Sequence, residues 1–146
     1  MSNRDQSKNL TTFCGLYCGD CYAYSGGLAR LAGELRKALQ QHNFSAVSKV
    51  VPFDGLQYYR ECDAFLEALT FMRCKKTCRG GGGNPVCPIR ECCHQQGIEG
   101  CWQCDRQKTC ATLKILEPVH RDANRKNLRN IKKHGIEKWH SKKRWW

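Results

Sequence analysis

The sequence predicts a mainly α-helical fold: a small helical domain with cysteine-rich metal-binding loops and a basic helical C-terminal tail. Three observations lead to this prediction. Apolar residues recur at helical spacing in two segments of the first half, and twelve cysteines occur among 146 residues, mostly in close pairs. Ten Lys and Arg residues against two acids give residues 120–146 a charge of +8, out of +12 for the whole chain. No segment alternates like a confident β-strand.

The first half of the chain contains two amphipathic segments. In residues 25–43, apolar side chains share one helical face and Ser25 is available as the N-cap; they are Leu28, Leu31, Leu35 and Leu39. Residues 56–72 carry a second stripe, and Pro52 marks a turn between the two segments. We expect these stripes to form the core that carries the metal sites.

Cysteine usage depends on the cellular compartment. The N-terminal stretch MSNRDQSKNL has no apolar signal segment, and no apolar run approaches the length of a membrane span. We therefore expect a cytoplasmic protein without a transmembrane segment, in which disulfides do not persist and close cysteine pairs bind metal or act in catalysis. A secreted disulfide scaffold also fits the even cysteine count, but such scaffolds usually spread their cysteines out.

Ten cysteines are candidate metal ligands. The C-x2-C spacing of Cys101 and Cys104 is typical of a zinc knuckle, and the other pairs lie within the two-to-four residue range of structural zinc sites. The candidates are Cys14, Cys18, Cys21, Cys74, Cys78, Cys87, Cys92, Cys101, Cys104 and Cys110. We expect two Zn²⁺ sites. Because ten is not a multiple of four, at least one site has an odd thiolate count, a bridging thiolate or a ligand other than cysteine.

An iron–sulfur cluster is the alternative to zinc, because both bind four cysteines. The C-x3-C-x2-C spacing of Cys14, Cys18 and Cys21 also occurs in the [4Fe–4S] motif of radical S-adenosylmethionine enzymes. Those enzymes usually have an aromatic residue where this chain has Asp20, and they need a large partial α/β barrel. The radical activity is therefore rejected, while a redox or accessory role for a cluster of another kind stays open.

Two cysteines stand outside this ligand set. We expect Cys62 to be buried in helix packing and Cys93 to be a spare thiol beside a site, since neither has a readable histidine partner. The glycines of Arg79–Pro85 lack the ending of a phosphate-binding loop and are interpreted as a linker. With no acid/base pair and no nucleotide motif, the sequence names no reaction and favours a binding or adaptor module with an unknown protein partner.

The basic tail offers a second function, binding of single-stranded nucleic acid. Basic side chains beside aromatic ones can pair with phosphates and stack on bases. The candidate contacts are Arg125, Arg129, Lys132, Lys133, Trp139, Lys142, Lys143 and Arg144. An anionic membrane surface is an alternative partner. The simpler interpretation is that the tryptophans fold back to cap the core while the lysines stay solvated.

The cysteine motifs resemble a prokaryotic family of small cysteine-rich proteins catalogued as domain of unknown function 3795. The resemblance rests on CGLYCGDC at residues 14–21, CPIREC at 87–92, and the final pair with Cys110. Cys74 and Cys78 match the central pair of the family imperfectly, since three residues separate them. The resemblance implies metal binding, zinc foremost, without an activity. We expect a cysteine-rich domain over residues 11–116 and a basic helical tail over 117–146, with Arg90 bracing backbone carbonyls or thiolates near a metal.

Overall fold

The computed structural model describes residues 3–146, so that Met1 and Ser2 of the polar N-terminal stretch lie outside it. The predicted fold class is confirmed, because the chain is 65% helical and residues 3–146 contain no β-strand. One isolated antiparallel bridge joins Thr11 to Tyr17. No helix in this part of the chain is long and apolar enough to cross a membrane.

Eight α-helices lie within the described residues, joined by loops and short 3-10 turns. They are α1 (Asn3–Leu10), α2 (Tyr22–Ser25), α3 (Gly27–Gln41), α4 (Phe44–Val50), α5 (Tyr59–Thr70), α6 (Pro88–Gln95), α7 (Glu117–His120) and α8 (Ala123–His140). Helix α8 bends at Gly135, whose left-handed backbone (φ 77°) interrupts the helical conformation. The helical segment after Gly135 therefore runs in a new direction.

Helices α3 and α5 pack against each other as a hairpin. Ala29 and Ala32 are buried on α3, and these small side chains allow the two helices to approach closely. Arg36 of α3 donates from Nε to Oδ1 of Asp63 on α5 over 2.9 Å, and it also pairs with Glu67. The two segments predicted to be amphipathic helices thus form one helical unit between Cys21 and Cys74.

The predicted role of the leucine stripe as the core is wrong. Leu28, Leu31 and Leu35 are 39%, 56% and 50% exposed, because α3 turns its alanine face and Arg36 toward α5. Helical periodicity identifies an apolar face but not what covers it. Ser25 does not cap α3 either, since it ends α2 and Gly26 occupies the N-cap position.

The core lies in the second half of the chain, together with the first cysteine loop. Its buried apolar side chains include Phe13, Ile89, Trp102, Leu113, Leu128, Ile131 and Trp139. Helix α8 supplies three of them, so the basic tail packs on the same core as the cysteine-rich loops. The boundary between residues 11–116 and 117–146 stays a prediction.

Candidate metal centre

Both C-x2-C pairs form the same local structure, a single 3-10 turn. The Cys21 amide donates to the Cys18 carbonyl over 3.0 Å, and the Cys104 amide donates to the Cys101 carbonyl over 3.1 Å. In each turn the hydrogen bond keeps the first and the fourth residue, both cysteines, close to each other. The spacing that predicted a knuckle therefore corresponds to two matching turns in different parts of the chain.

Four thiols lie at the base of the helical hairpin, and we call Cys18, Cys21, Cys74 and Cys78 the hairpin-root thiols. The Cys74 amide donates to the Ala23 carbonyl over 2.9 Å, which brings the two ends of the hairpin together. The Cys78 amide lies 3.4 Å from the Cys18 sulfur as a donor. The pKa of Cys18 is raised to about 11, mainly by burial, with smaller contributions from the neighbouring thiols of Cys78, Cys21 and Cys74.

A second set lies in the hydrophobic core, and we call Cys14, Cys87, Cys93, Cys101 and Cys110 the core thiols. Burial raises the pKa of Cys14 to about 12, and the neighbouring Cys78 and Cys87 add to the effect. Cys101 interacts electrostatically with Cys14 and Cys110. Cys78 therefore neighbours both sets, since Cys87 and burial also raise its pKa.

Cys93, rather than Cys92, faces this core. Its side chain is 1% exposed, and its sulfur lies 3.7 Å from the Cys101 sulfur. The hydrogen bond from the Cys101 thiol lowers the pKa of Cys93 and raises that of Cys101. Cys92 is exposed on the outer side of α6. No signal in the sequence separates the two cysteines, because they lie three and four residues after Ile89 and both spacings share its helical face.

All twelve cysteines are free thiols. Cys62 is exposed, so the prediction that it is buried in helix packing is wrong. Within residues 3–146, no three His, Cys, Asp or Glu side chains have the mutual spacing of a closed metal site. The backbone brings nine of the thiols into two neighbourhoods, and metal coordination would require their sulfurs to lie closer together.

Arg90 organises the glycine-rich loop that connects the hairpin root to α6. Its guanidinium donates to the carbonyls of Gly82 (2.9 Å), Asn84 (2.7 Å), Pro85 (3.0 Å) and Cys78 (3.3 Å). The expectation that Arg90 braces backbone carbonyls is confirmed. At Gly82 a Cβ would lie 1.9 Å from the Lys76 carbonyl oxygen, so only glycine fits this close approach. The loop is a tightly folded connection, as the linker interpretation predicts.

Arg79 connects the N-terminal segment to the second C-x2-C turn, a role that the sequence analysis missed. Its Nε donates to the Thr11 carbonyl over 2.8 Å, and its Nη2 donates to the Glu99 carbonyl over 2.7 Å. The guanidinium also lies over the Phe13 ring, 4.7 Å from its centroid. Its position directly after Cys78 was the one available signal.

The tail folds back onto the body of the protein, so several candidate nucleic-acid contacts are already engaged. Trp139 is completely buried, and its inclusion among residues that stack on bases is wrong. Arg144 donates to both carboxylate oxygens of Asp20 (2.7 and 2.9 Å) and lies over the Tyr17 ring. Arg125 donates to three backbone carbonyls in residues 107–110.

The remaining basic candidates are exposed and fall into two groups. Arg129, Lys132 and Lys133 lie on one side of α8, where they line a groove with residues 105–108. Lys142 and Lys143 lie after the end of α8. Trp139 is packed inward while these lysines lie in solvent. The simpler interpretation of the tail therefore holds for these residues.

Comparison with known proteins gives a family and no activity. The model of the family described as "Protein of unknown function (DUF3795)" matches residues 10–115, more than two thirds of the chain. No curated protein and no solved structure matches significantly. The matched range contains both sets of thiols and ends before α7. The protein therefore belongs to the DUF3795 family.

Proposed function

We propose that the protein is a structural zinc-binding module that holds two Zn²⁺ ions and serves as a binding or adaptor unit. The observation that carries this proposal is the convergence of the hairpin-root thiols, where the Cys78 amide points at the Cys18 sulfur from 60 residues away in sequence. A C-x2-C turn and a C-x3-C pair approach each other there, which is the usual composition of a four-thiolate structural zinc site.

The electrostatics of these thiols fit a bound cation. Burial raises the pKa of Cys14, Cys18 and Cys78, so ionised thiolates at these positions need a compensating positive charge. Zinc supplies two positive charges and binds thiolate strongly. The Phe13 backbone and the Arg90 guanidinium act in the opposite direction to burial on Cys78, where they lower the pKa and so favour the thiolate. Such outer contacts fix the orientation of ligands in metal sites.

The placement of the N-terminal triplet favours zinc over a [4Fe–4S] cluster on Cys14, Cys18 and Cys21. Cys18 neighbours Cys78, Cys21 and Cys74 at the hairpin root, whereas Cys14 neighbours Cys87 and Cys101 in the core as well as Cys78, which is next to both sets. A cluster ligated by the whole triplet would need all three sulfurs around one centre. Dividing the triplet between two sites instead supplies ligands to two metal ions.

The sulfur separation of Cys93 and Cys101 supports their proposal as a ligand pair in a site formed by the core thiols. Two thiolates on one tetrahedral zinc, each about 2.3 Å from the metal, lie about 3.8 Å apart. The observed distance of 3.7 Å between the Cys93 and Cys101 sulfurs agrees with this expected distance. We therefore assign Cys93 to the core site with Cys101, and exposed Cys92 to neither site.

Substitution of the two adjacent cysteines tests this assignment. We expect Cys93→Ser to lose about one zinc ion per chain after dialysis against a competing chelator, because one ligand of a four-thiolate site is gone. Cys92→Ser should keep the wild-type content, and Cys62→Ser serves as a further control. Zinc is measured by mass spectrometry of the acid-digested protein. Loss of zinc from Cys92→Ser with retention in Cys93→Ser would refute the assignment.

The helical hairpin supports the adaptor role. Leu28, Leu31 and Leu35 form an exposed stripe on α3, and Phe65 on α5 is 63% exposed. Contiguous exposed apolar side chains mark interaction surfaces in many soluble proteins. A metal site at the hairpin root would hold this surface in a fixed orientation relative to the core.

A further inference from the structure

We propose that the groove between residues 105–108 and α8 binds the phosphate backbone of nucleic acid. The groove has a volume of about 360 Å³. Its lining consists of Asp105, Gln107, Lys108, Arg129, Lys132 and Lys133. This inference goes beyond metal binding and places the contact on the body of the protein rather than on residues 138–146.

The cations of the groove outnumber the carboxylates that pair with them. Arg129, Lys132 and Lys133 are spaced i, i+3 and i+4, so they project from one face of α8. Lys132 lies 3.5 Å from Asp105, whose side chain is 97% exposed. In the part of the chain that the structure describes, neither Arg129 nor Lys133 has a carboxylate within ion-pair distance. Four cations facing one acid form a site for an anionic ligand.

The wall of the groove is held in place by Arg125. Its Nη1 donates to the carbonyls of Gln107 (2.9 Å) and Lys108 (3.0 Å), and its Nη2 donates to the Cys110 carbonyl (3.2 Å). These bonds fix the 105–108 turn against α8, on which Arg129 follows one helical turn after Arg125. The cations therefore have a preformed arrangement, which reduces the ordering cost of binding. Arg125 is a positioning residue and not a phosphate contact.

The composition of the lining favours a nucleic-acid backbone over a membrane surface or over bases. Every lining residue is polar or charged, so the groove offers neither a stacking platform nor an apolar side chain to enter a bilayer. Repeated phosphates match several cations in a concave site. Contacts to the backbone give affinity without base specificity, and their strength falls steeply with salt.

Two triple variants with equal loss of charge test the proposal. In the first, Arg129, Lys132 and Lys133 become Gln; in the second, Lys138, Lys142 and Lys143 become Gln. Binding to labelled single-stranded and duplex 20-mers of mixed sequence is followed by fluorescence anisotropy at several salt concentrations. We expect the groove variant to weaken binding at least tenfold. The slope of log K against log salt concentration should also become less steep, by up to about three released counterions. The tail variant should weaken it less than about threefold.

A third variant gives a gain of binding and separates charge placement from loss of folding. Asp105→Asn removes the one carboxylate from the groove and should tighten binding two- to fivefold. Equal weakening by both triple variants would overturn the proposal, since net charge alone would then explain binding. Wild-type protein that binds vesicles of anionic phospholipid but not the 20-mers would also overturn it. Circular dichroism confirms that each variant is folded.

Discussion

Removal of bound metal with a chelator should lower the melting temperature by at least about 20 °C and unfold the 74–110 region. A structural zinc ion contributes about 10–16 kcal/mol of apparent binding free energy in zinc-finger peptides. In a chain of this size each kcal/mol shifts the midpoint by about 2–4 °C. The cysteine loops contain few apolar side chains of their own, so coordination would supply most of the free energy that orders them.

Thermal melting followed by circular dichroism, with and without chelator, measures this effect. Re-addition of zinc should restore the original midpoint, which distinguishes metal loss from damage. Cys62→Ser is the matched control, because Cys62 is exposed on α5 and belongs to neither thiol set. A spectrum and midpoint unchanged by the chelator would contradict the structural role of the metal.

Truncation of Trp139 should be the most damaging single substitution away from the cysteines. Trp139 is 0% exposed, and its ring meets Tyr17 edge-on at 6.2 Å between centroids. Replacing a buried tryptophan by alanine costs about 3–5 kcal/mol, because the packing is lost and a cavity is left behind. We expect Trp139→Ala to lower the free energy of unfolding by this amount in urea titrations with excess zinc present.

Trp139→Phe provides the control for that substitution. Among residues 3–146 the buried indole nitrogen of Trp139 has no hydrogen-bond partner, so its removal sacrifices no hydrogen bond within this range. Phenylalanine keeps most of the buried ring and should cost less than half as much as alanine. Equal destabilisation by both substitutions would contradict the view that ring packing dominates at this position.

The sequence predicted the helices better than the way they pack. Apolar spacing predicts the two helices that the structure shows as α3 and α5, but Leu28 and Leu31 are exposed while Ala29 and Ala32 are buried. The spacing of apolar residues along the sequence shows only which side chains share a face of one helix. Which face is covered depends on contacts with other elements, and here the Arg36–Asp63 ion pair and the small alanines determine it.

The cysteine spacing predicted the local turns but not the grouping of the thiols. Both C-x2-C turns follow from the chain itself, whereas the approach of Cys78 to Cys18 depends on how the hairpin returns to its root. The sequence indicates that Cys93 is a spare thiol outside the ligand set, yet α6 turns Cys93 toward Cys101. Arg90 was predicted correctly because a guanidinium beside a glycine-rich loop has carbonyls within reach.

The fold gives the two thiol sets different expected roles. The core thiols lie among apolar side chains, where a metal would stabilise the body of the protein. The hairpin-root thiols join the ends of the 22–73 segment, so a metal there would fix the exposed leucine face relative to the basic groove. The proposed binding module would then have two interaction surfaces, one apolar and one cationic.

Metal content together with a visible absorption spectrum tests the central claim most directly. The protein is purified anaerobically without an affinity tag, and zinc, iron and acid-labile sulfide are quantified per chain. We predict about two zinc ions and no visible absorption bands, as expected for two four-thiolate zinc sites. Iron with stoichiometric sulfide and a broad visible band, or a folded protein free of metal, would contradict the proposed zinc-binding module.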